Sequence, residues 1–498
     1  MTDGLDRKKE KVCLLNTNKQ YSLVLFRADL RTFDNPALTS ALKSGRPAIA
    51  LFVLDEETNR PMGGASKWWL HHSLENLTMS LSALNTQLIL ASGDTYQAVL
   101  KLAQKVGINS IYWNRDYDAH AVELGHKLKN WAHSEAIQAK SFGSRLLHEP
   151  HTTTTKTGGF FKVFTPFWKN ISATYQPLEP LPIPNALKDD ISNFESDKLE
   201  DLALLPTNPD WAAAFQTLWQ PGEAGAHTAL ETFIQNGLET YPEGRDFPSL
   251  KTTSRLSPHL RFGEITPGQI WTAVAKQGSH LTASSRDKFL SEIGWRDFAH
   301  HLLYHNPNLK DDNFNKKFDR FPWQNEANTN ENLLAWQEGM TGYPIVDAGM
   351  RELWQTGWMH NRVRMIVGSF LVKHLLIDWR KGEEWFWDTL LDACPANNTA
   401  SWQWIAGSGA DAAPYFRIFN PILQGEKFDG EGRYVRKYVP ELAQLPNKYI
   451  HKPWTAPLEQ LTQANVKLGQ TYPNPIVDHT EARKRALAAF ESIQKAAA

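Results

Sequence analysis

"VDAGMRELWQTGWMHNRVRMIVGSFLVKHLLI", residues 346–377, decides how the second half of this chain folds. Its apolar residues recur at the three- and four-residue intervals of a helix. The same pattern fills residues 222–241, 285–305 and 382–392, with almost no strand candidates between them. A large, nearly all-helical C-terminal domain is therefore expected, and no internal repeat organises it.

Toward the N-terminus the pattern changes twice. Residues 136–205 contain "HTTTTKTGG" and "PLEPLPIPNALKDD", rich in Thr, Gly and Pro, and read as a long, partly extended connector. Before it, "SLVLF" (22–26), "AIALFVL" (48–54), "LILA" (88–91) and "SIYW" (110–113) are short buried-type strands. They alternate with the amphipathic segments 66–85 and 94–107. Strand–helix alternation implies a parallel sheet covered on both faces, a Rossmann-like α/β domain. Such a sheet binds ligands beyond the carboxyl ends of its strands. No GxGxxG follows the first strand, which disfavours a dinucleotide there. The expected domains are 1–135 (α/β), 136–205 (connector) and 206–498 (helical).

Composition narrows the function. The chain has 498 residues, enough for two or three cores, and its 53 Lys+Arg balance 54 Asp+Glu, so nucleic-acid binding would need a local patch. Two cysteines, Cys13 and Cys394, are too few for a disulfide framework or a Cys-rich metal site, and point to a cytoplasmic protein. The N-terminal "MTDGLDRKKEKVCLLN" has no apolar signal core, and no apolar run is long enough to span a membrane. There is no HExxH, P-loop or GxSxG, so metal, phosphoryl-transfer and serine-hydrolase chemistry have no foothold.

Charged residues do lie inside the apolar helices. Glu292 and Arg296 flank Gly294 and Trp295; Asn361, Arg362 and Arg364 follow Trp358. Residues of this type need partners or a ligand. Glu292 and Arg296, four apart, could equally pair along one helix face.

"FRADLRTFDNPAL" (26–38), "GRDFPSLKTTSRLSPHLRFGEITP" (244–267), residues 336–366 and residues 409–429 closely resemble the cryptochrome/photolyase family. "NFNKKFDRFPW" (313–323) and "ANNTASWQWIAGSGADAAPYFRIFNP" (396–421) are most similar to class III cyclobutane pyrimidine dimer photolyases, relatives of plant cryptochromes. The resemblance covers nearly the whole chain. It implies an α/β antenna domain, a long connector and a helical FAD-binding domain, and light-driven repair of UV-damaged DNA by a monomer. The alternative is a blue-light photoreceptor without repair activity.

The resemblance also assigns residues. FAD phosphates would be held by Thr253, Ser254, Leu256 and Ser257, with Tyr241 upstream, and by Arg296; hydroxyls and N–H groups entering a helix suit a pyrophosphate. Taken alone, "TTSRLS" is an ordinary helix N-cap. Trp358 joins the cofactor contacts, and Arg364 and Asp392 match the ion pair against the isoalloxazine ring. Asn398 matches the residue facing flavin N5, where plant cryptochromes carry an acid; asparagine suits an enzyme working from FADH⁻. Cys394 stands where many relatives carry an aspartate, implying a less negative flavin environment.

For the substrate, Glu292 corresponds to the acid that hydrogen-bonds the dimer carbonyl, and Trp295 and Trp404 to the walls around the flipped lesion. Asn361 and Met365 line the floor, and Arg362, Arg417 and Lys427 are placed for phosphates. Arg433, Arg436 and Lys437 read as a solvated face. Trp402, Trp379 and Trp323 match the family's electron wire, with Trp385 and Trp387 as a side branch; each taken alone is a core aromatic. "YWNRDYD" (112–118) is similar to a segment contacting 5,10-methenyltetrahydrofolate, through Asn114 and Asp116; a deazaflavin antenna, or none, is the alternative.

Overall fold

The computed structural model describes residues 21–187, 194–325, 330–411 and 416–495. Cys13, the N-terminal segment read for a signal, and residues 412–415 of the "GADAAPYF" motif lie outside the described residues.

The sheet has five parallel strands in the order β3-β2-β1-β4-β5. They are β1 (Tyr21–Phe26), β2 (Ala48–Leu54), β3 (Gln87–Ser92), β4 (Ile108–Asn114) and β5 (Gln138–Phe142). Both faces are buried, as the continuous apolar runs require. Val24, Phe26, Ala50 and Phe52 enter one core, while Leu23, Leu25, Ile49 and Leu51 enter the other. Helices α1 (Pro36–Lys43), α2 (Gly64–Ser82), α3 (Thr95–Val106) and α4 (Ala119–Ser134) make the crossovers. The strand order reverses between β1 and β4, so the switch point lies where Phe26 and Asn114 end their strands.

Two features correct the expected connector. β5 lies beyond residue 135 and extends the sheet. Then α5 (Phe164–Thr174) inserts Phe164, Phe167 and Ile171 into the core of the helical domain. The helical domain is built mainly from α6 (Ala283–His305), α7 (Pro344–Thr356), α8 (Asn361–Ser369), α9 (Trp379–Thr389), α10 (Pro395–Ala406), α11 (Pro421–Phe428) and α12 (His479–Lys495), with shorter helices between them. A π-helical turn, Phe370–His374, follows α8. Among the described residues no helix is long and apolar enough to cross a membrane.

The "FRADLRTFDN" motif joins the domains. Buried Arg31 donates to the Gly263 carbonyl at 2.9 Å, and the N–H groups of Thr32 and Phe33 reach the Glu223 carboxylate at 3.0 and 2.8 Å. Gly263 has φ +67°, and a Cβ there would meet the Ala28 carbonyl oxygen at 2.1 Å, so only glycine lets the chains approach this closely.

Candidate active site

The helical domain encloses a cavity of about 570 Å³. α6 presents Glu292, Trp295 and Arg296 to it, at i, i+3 and i+4 on one face. α8 does the same with Asn361, Arg364 and Met365, while Arg362, about 100° round the helix, points elsewhere. α8 starts at His360, whose side chain accepts from the Arg362 N–H at 3.2 Å. Burial pushes His360 down to about 4, keeping the ring neutral and able to cap.

One end of the cavity suits an anion. Tyr241, Thr253, Ser254, Leu256 and Ser257 line it together with the guanidinium-bearing Arg145, Arg255, Arg261 and Arg296. Trp358 donates its indole N–H to the Ser257 hydroxyl at 3.3 Å. Arg296 donates to the Arg145 carbonyl at 2.9 Å and to Asp297 at 3.2 Å. Burial lowers Arg296 and Arg261, and the neighbouring Arg145 charge lowers both further. Buried Arg255 Nε has no hydrogen-bond partner among the described residues. Converging buried cations with an orphaned donor are what a pyrophosphate would satisfy. The pairing of Glu292 with Arg296 along α6 does not occur: Glu292 is ion-paired to Arg245 and to Lys288, the latter at 3.2 Å.

The middle of the cavity is held rigidly. Arg364 makes a fork to Asp392 at 3.1 and 2.8 Å and donates to the Met359 carbonyl at 2.8 Å. The Asn398 amide nitrogen donates to the Glu383 carbonyl at 3.0 Å and to its carboxylate at 2.9 Å. Both acceptors can only accept, so the amide orientation is fixed and its oxygen is left for the cavity. Glu383 is in turn gripped by Arg60 of the α/β domain at 2.8 and 2.9 Å. Cys394 precedes α10, with its sulfur 3.6 Å from His300 and 3.5 Å from the Asn397 amide.

The mouth is aromatic. Trp295, 37 % exposed, stacks on Phe164 of α5 with centroids 3.7 Å apart. Trp404 donates its indole N–H to the Asp411 carbonyl at 3.1 Å. Behind the cavity, Trp402 is buried against Phe386 at 5.0 Å and Trp336 at 6.2 Å. Trp379 is buried and donates to Asn313 at 3.0 Å, and Trp323 is half-buried beside Phe321. The two side-branch candidates are separated by the packing. Trp385 stacks on Trp354, whereas Trp387 lies under Arg60 and donates to the Pro61 carbonyl.

Arg362, Arg417 and Lys427 are not in this cavity. They line an adjacent groove of about 880 Å³, where Arg362 pairs with Asp246 at 2.7 Å. Of the three residues read as a solvated face, Arg433 fits, paired with Glu431 at 2.7 Å in solvent, and Lys437 donates to the Tyr438 hydroxyl. Arg436 does not: it turns inward and donates to the carbonyls of Glu431, Ala443 and Leu445, clasping its own loop.

The Asn114 amide nitrogen is buried at the end of β4 and donates to Asp29 at 2.6 Å and Asn35 at 2.8 Å, securing the N-cap of α1, while its buried oxygen has no hydrogen-bond partner among the described residues. Asp116 instead lines an interdomain cavity of about 150 Å³ at the switch point, with Arg27, Asp118, Arg261, His300 and Trp387. Burial opposes its charge, but the Arg145 and Arg27 guanidiniums outweigh it and hold the carboxyl below its usual range.

Glu383, Arg60, Arg145, Arg245, Arg255, Arg261 and Phe164 have site roles that the sequence did not reveal. The only local signal was for Glu383, an acid inside the apolar "GEEWFWDTLL" helix.

A parallel α/β domain is docked on a helical domain whose cavity joins a cationic end to an aromatic mouth. Residues 22–185 match the family model described as DNA photolyase, and residues 289–492 that described as the FAD binding domain of DNA photolyase. The chain is 51 % identical to the deoxyribodipyrimidine photo-lyase of Agrobacterium fabrum, over 95 % of this chain and 98 % of that one. It is 40 % identical to Arabidopsis thaliana cryptochrome-1, over 93 % of this chain and 69 % of that one. The crystal structure of a class III photolyase from Agrobacterium tumefaciens superposes with a TM-score of 0.93 at 50 % identity, covering 96 % of this chain and 98 % of that one. The chain belongs to the cryptochrome/photolyase family and binds FAD.

Proposed function

We propose that the protein is a light-driven deoxyribodipyrimidine photolyase that splits cyclobutane pyrimidine dimers in UV-damaged DNA. The observation that carries this reading is the anchored Asn398 amide beneath a mouth walled by Trp295 and Trp404, next to a cationic groove. Reduced FAD, when bound, supplies one electron to the cyclobutane on excitation and recovers it after both carbon–carbon bonds open, with no net redox change.

The residues of the chain orient and stabilise. Thr253, Ser254, Ser257 and Arg296 hold the cofactor phosphates, and the locked Arg364–Asp392 pair fixes the ring plane. Asn398, its nitrogen held by Glu383, offers a carbonyl oxygen that accepts a proton-bearing partner and cannot supply a proton. Asn361 and Met365 form the floor between cofactor and lesion. Trp295 and Trp404 stack on the dimer once it is flipped out of the helix. Glu292, paired with Arg245 and Lys288 at the rim, would donate to a dimer carbonyl only once protonated, and that hydrogen bond would strengthen as negative charge develops there.

Trp402, Trp379 and Trp323 run from the cavity wall to a half-buried position and carry electrons inward from solvent. A methenyltetrahydrofolate antenna would reach Asp116 from outside the switch-point cavity, which at about 150 Å³ is too small to enclose a folate. The protein acts as a monomer in the cytoplasm.

The test is direct. The purified protein is reduced, mixed with a thymine-dimer oligonucleotide and illuminated with blue light while thymine absorbance is followed. Recovery of absorbance is expected. No recovery with reduced flavin demonstrably bound would overturn the repair reading in favour of a photoreceptor.

A further inference from the structure

The basic run Arg483, Lys484, Arg485 lies on α12, and the three side chains do three different things. Arg485, though exposed, donates to the His374 carbonyl of the π-helical turn at 2.6 Å. Lys484 pairs with Glu481 of its own helix at 2.8 Å, in solvent. Arg483 is exposed, makes no ion pair among the described residues, and lines the groove that also holds Arg362, Arg417 and Lys427.

α12 is not a loose appendage at that groove. His479 is hydrogen-bonded to buried His374 at 2.8 Å, and Phe490 stacks on Phe416 with centroids 4.5 Å apart and planes 7° from parallel. Phe416 immediately precedes Arg417 and is covered on another side by the buried Lys373 ammonium, 3.1 Å from the ring centroid. One wall of the groove is thus α12 itself, clamped to the segment that carries Arg417. The groove's carboxylate, Asp246, is already neutralised by Arg362 at 2.7 Å. The groove lies beside the cavity: Asp246 and Arg362 line the groove, and their sequence neighbours Arg245 and Asn361 line the cavity.

We propose that α12 is a DNA-binding element, with Arg483 contacting a backbone phosphate of the strand flanking the lesion. This rests on the repair reading above and extends it to a helix that none of the sequence motifs includes. Charge complementarity commits the groove to a polyanion, and its place beside the lesion cavity, with Arg245–Asp246 and Asn361–Arg362 each spanning the two, commits that polyanion to the damaged strand. The contact is made outside the flipped dimer, so it contributes to duplex affinity and not to chemistry.

The experiment compares Arg483→Gln with Lys484→Gln, which removes the same charge one residue away from a side chain paired in solvent. Binding of a dimer-containing duplex is measured by fluorescence anisotropy at several KCl concentrations, and repair is measured on a dinucleotide thymine dimer. For Arg483→Gln the slope of log K against log salt should shrink by about 0.9, with affinity down on the order of fivefold at ~0.1 M salt. Lys484→Gln should match the parent, and both variants should repair the dinucleotide at the parent rate. A parental slope in Arg483→Gln, or an equal change in both variants, would overturn the proposal. A parent that binds the duplex but repairs nothing would instead overturn the functional reading and leave the slope comparison intact.

Discussion

Cys394 sits among cations. Arg145, Arg261 and Arg296 line the cavity with it, and His300 Nε2 is 3.6 Å from its sulfur. Burial and the Arg296 and Arg145 charges push His300 well below its ordinary value. A thiol compensates this cluster poorly and does not cap α10, which starts at the next residue without a side-chain cap. Cys394→Asp should do both. The flavin reduction potential is expected to become more negative by on the order of 50 mV, the equivalent of about 1 kcal/mol of charge interaction per electron. The thermal unfolding midpoint should rise, since an aspartate N-cap contributes about 1 kcal/mol. Spectroelectrochemical titration of the two proteins checks it; equal potentials would mean the position does not tune the cofactor. The departure of Cys394 from the family pattern was legible in the sequence. The cations around it were not, because Arg145 and Arg261 come from segments distant in the chain. Asn398 shows the same division: its match to the family was legible, but the Glu383 and Arg60 that fix its amide are set by tertiary pairing alone.

At the scale of elements, the four strands with continuous apolar runs could be read directly, and the long helices likewise. β5, "QAKSF", could not: it is a partly exposed edge strand with polar residues, defined by its pairing with β4 rather than by composition. α5 was hidden inside a Pro- and Gly-marked stretch, yet it decides the shape of the cavity mouth. Its Trp168 packs directly over Gly294 of α6, where a Cβ would stand 2.3 Å from the indole ring. Gly294 is therefore a packing requirement set between two tryptophan-bearing helices. Trp168 stacks on Phe164, and Phe164 on Trp295. Gly294→Ala should push α5 outward and carry Trp295 with it. The expected cost is about 1–3 kcal/mol of stability, as for overpacking a filled core. Affinity for the dimer-containing oligonucleotide should fall more than FAD retention, because, of the phosphate-holding residues, only Arg296 is on α6, and Thr253, Ser254 and Ser257 lie on neither packed helix. Urea denaturation and oligonucleotide titration of the holoprotein read the two effects separately. Intact lesion affinity would show that the α5 stack does not position the wall tryptophan.

The whole molecule buries histidines on both sides of the FAD cavity, and this sets how it responds to acid. Burial pushes His301 down to about 3, His360 to about 4 and His374 to about 3, while His300 is held well below its ordinary value. Each is neutral when folded and takes up a proton more readily when unfolded. Their stabilisation is complete above about pH 6.5 and is lost as pH falls through the window toward 3–4. Asp297, raised by burial to about 6 against the pull of Arg296, works in the opposite sense. Its contribution is complete below its unfolded value and is lost as pH rises through about 6. Asp347 and Glu352 are also raised by burial and add to that opposition. Near pH 5 the protons of His301, His360 and His374 stand against that of Asp297, a net of two, with His300 adding to the histidine side and Asp347 and Glu352 to the other. Stability is expected to fall on acidification by about 3 kcal/mol per pH unit, at about 1.4 kcal/mol per proton. The fall is not spread evenly. His374 anchors α12 through His479, so α12 and the groove wall it forms should loosen before the α/β domain does. Urea midpoints between pH 7 and 5, with the tryptophan-rich helical core as the fluorescent probe, measure the slope, and His374→Gln should flatten it by about one proton's worth. A midpoint that stays level or rises toward pH 5 would mean the buried carboxyls, not the histidines, govern the acid limb.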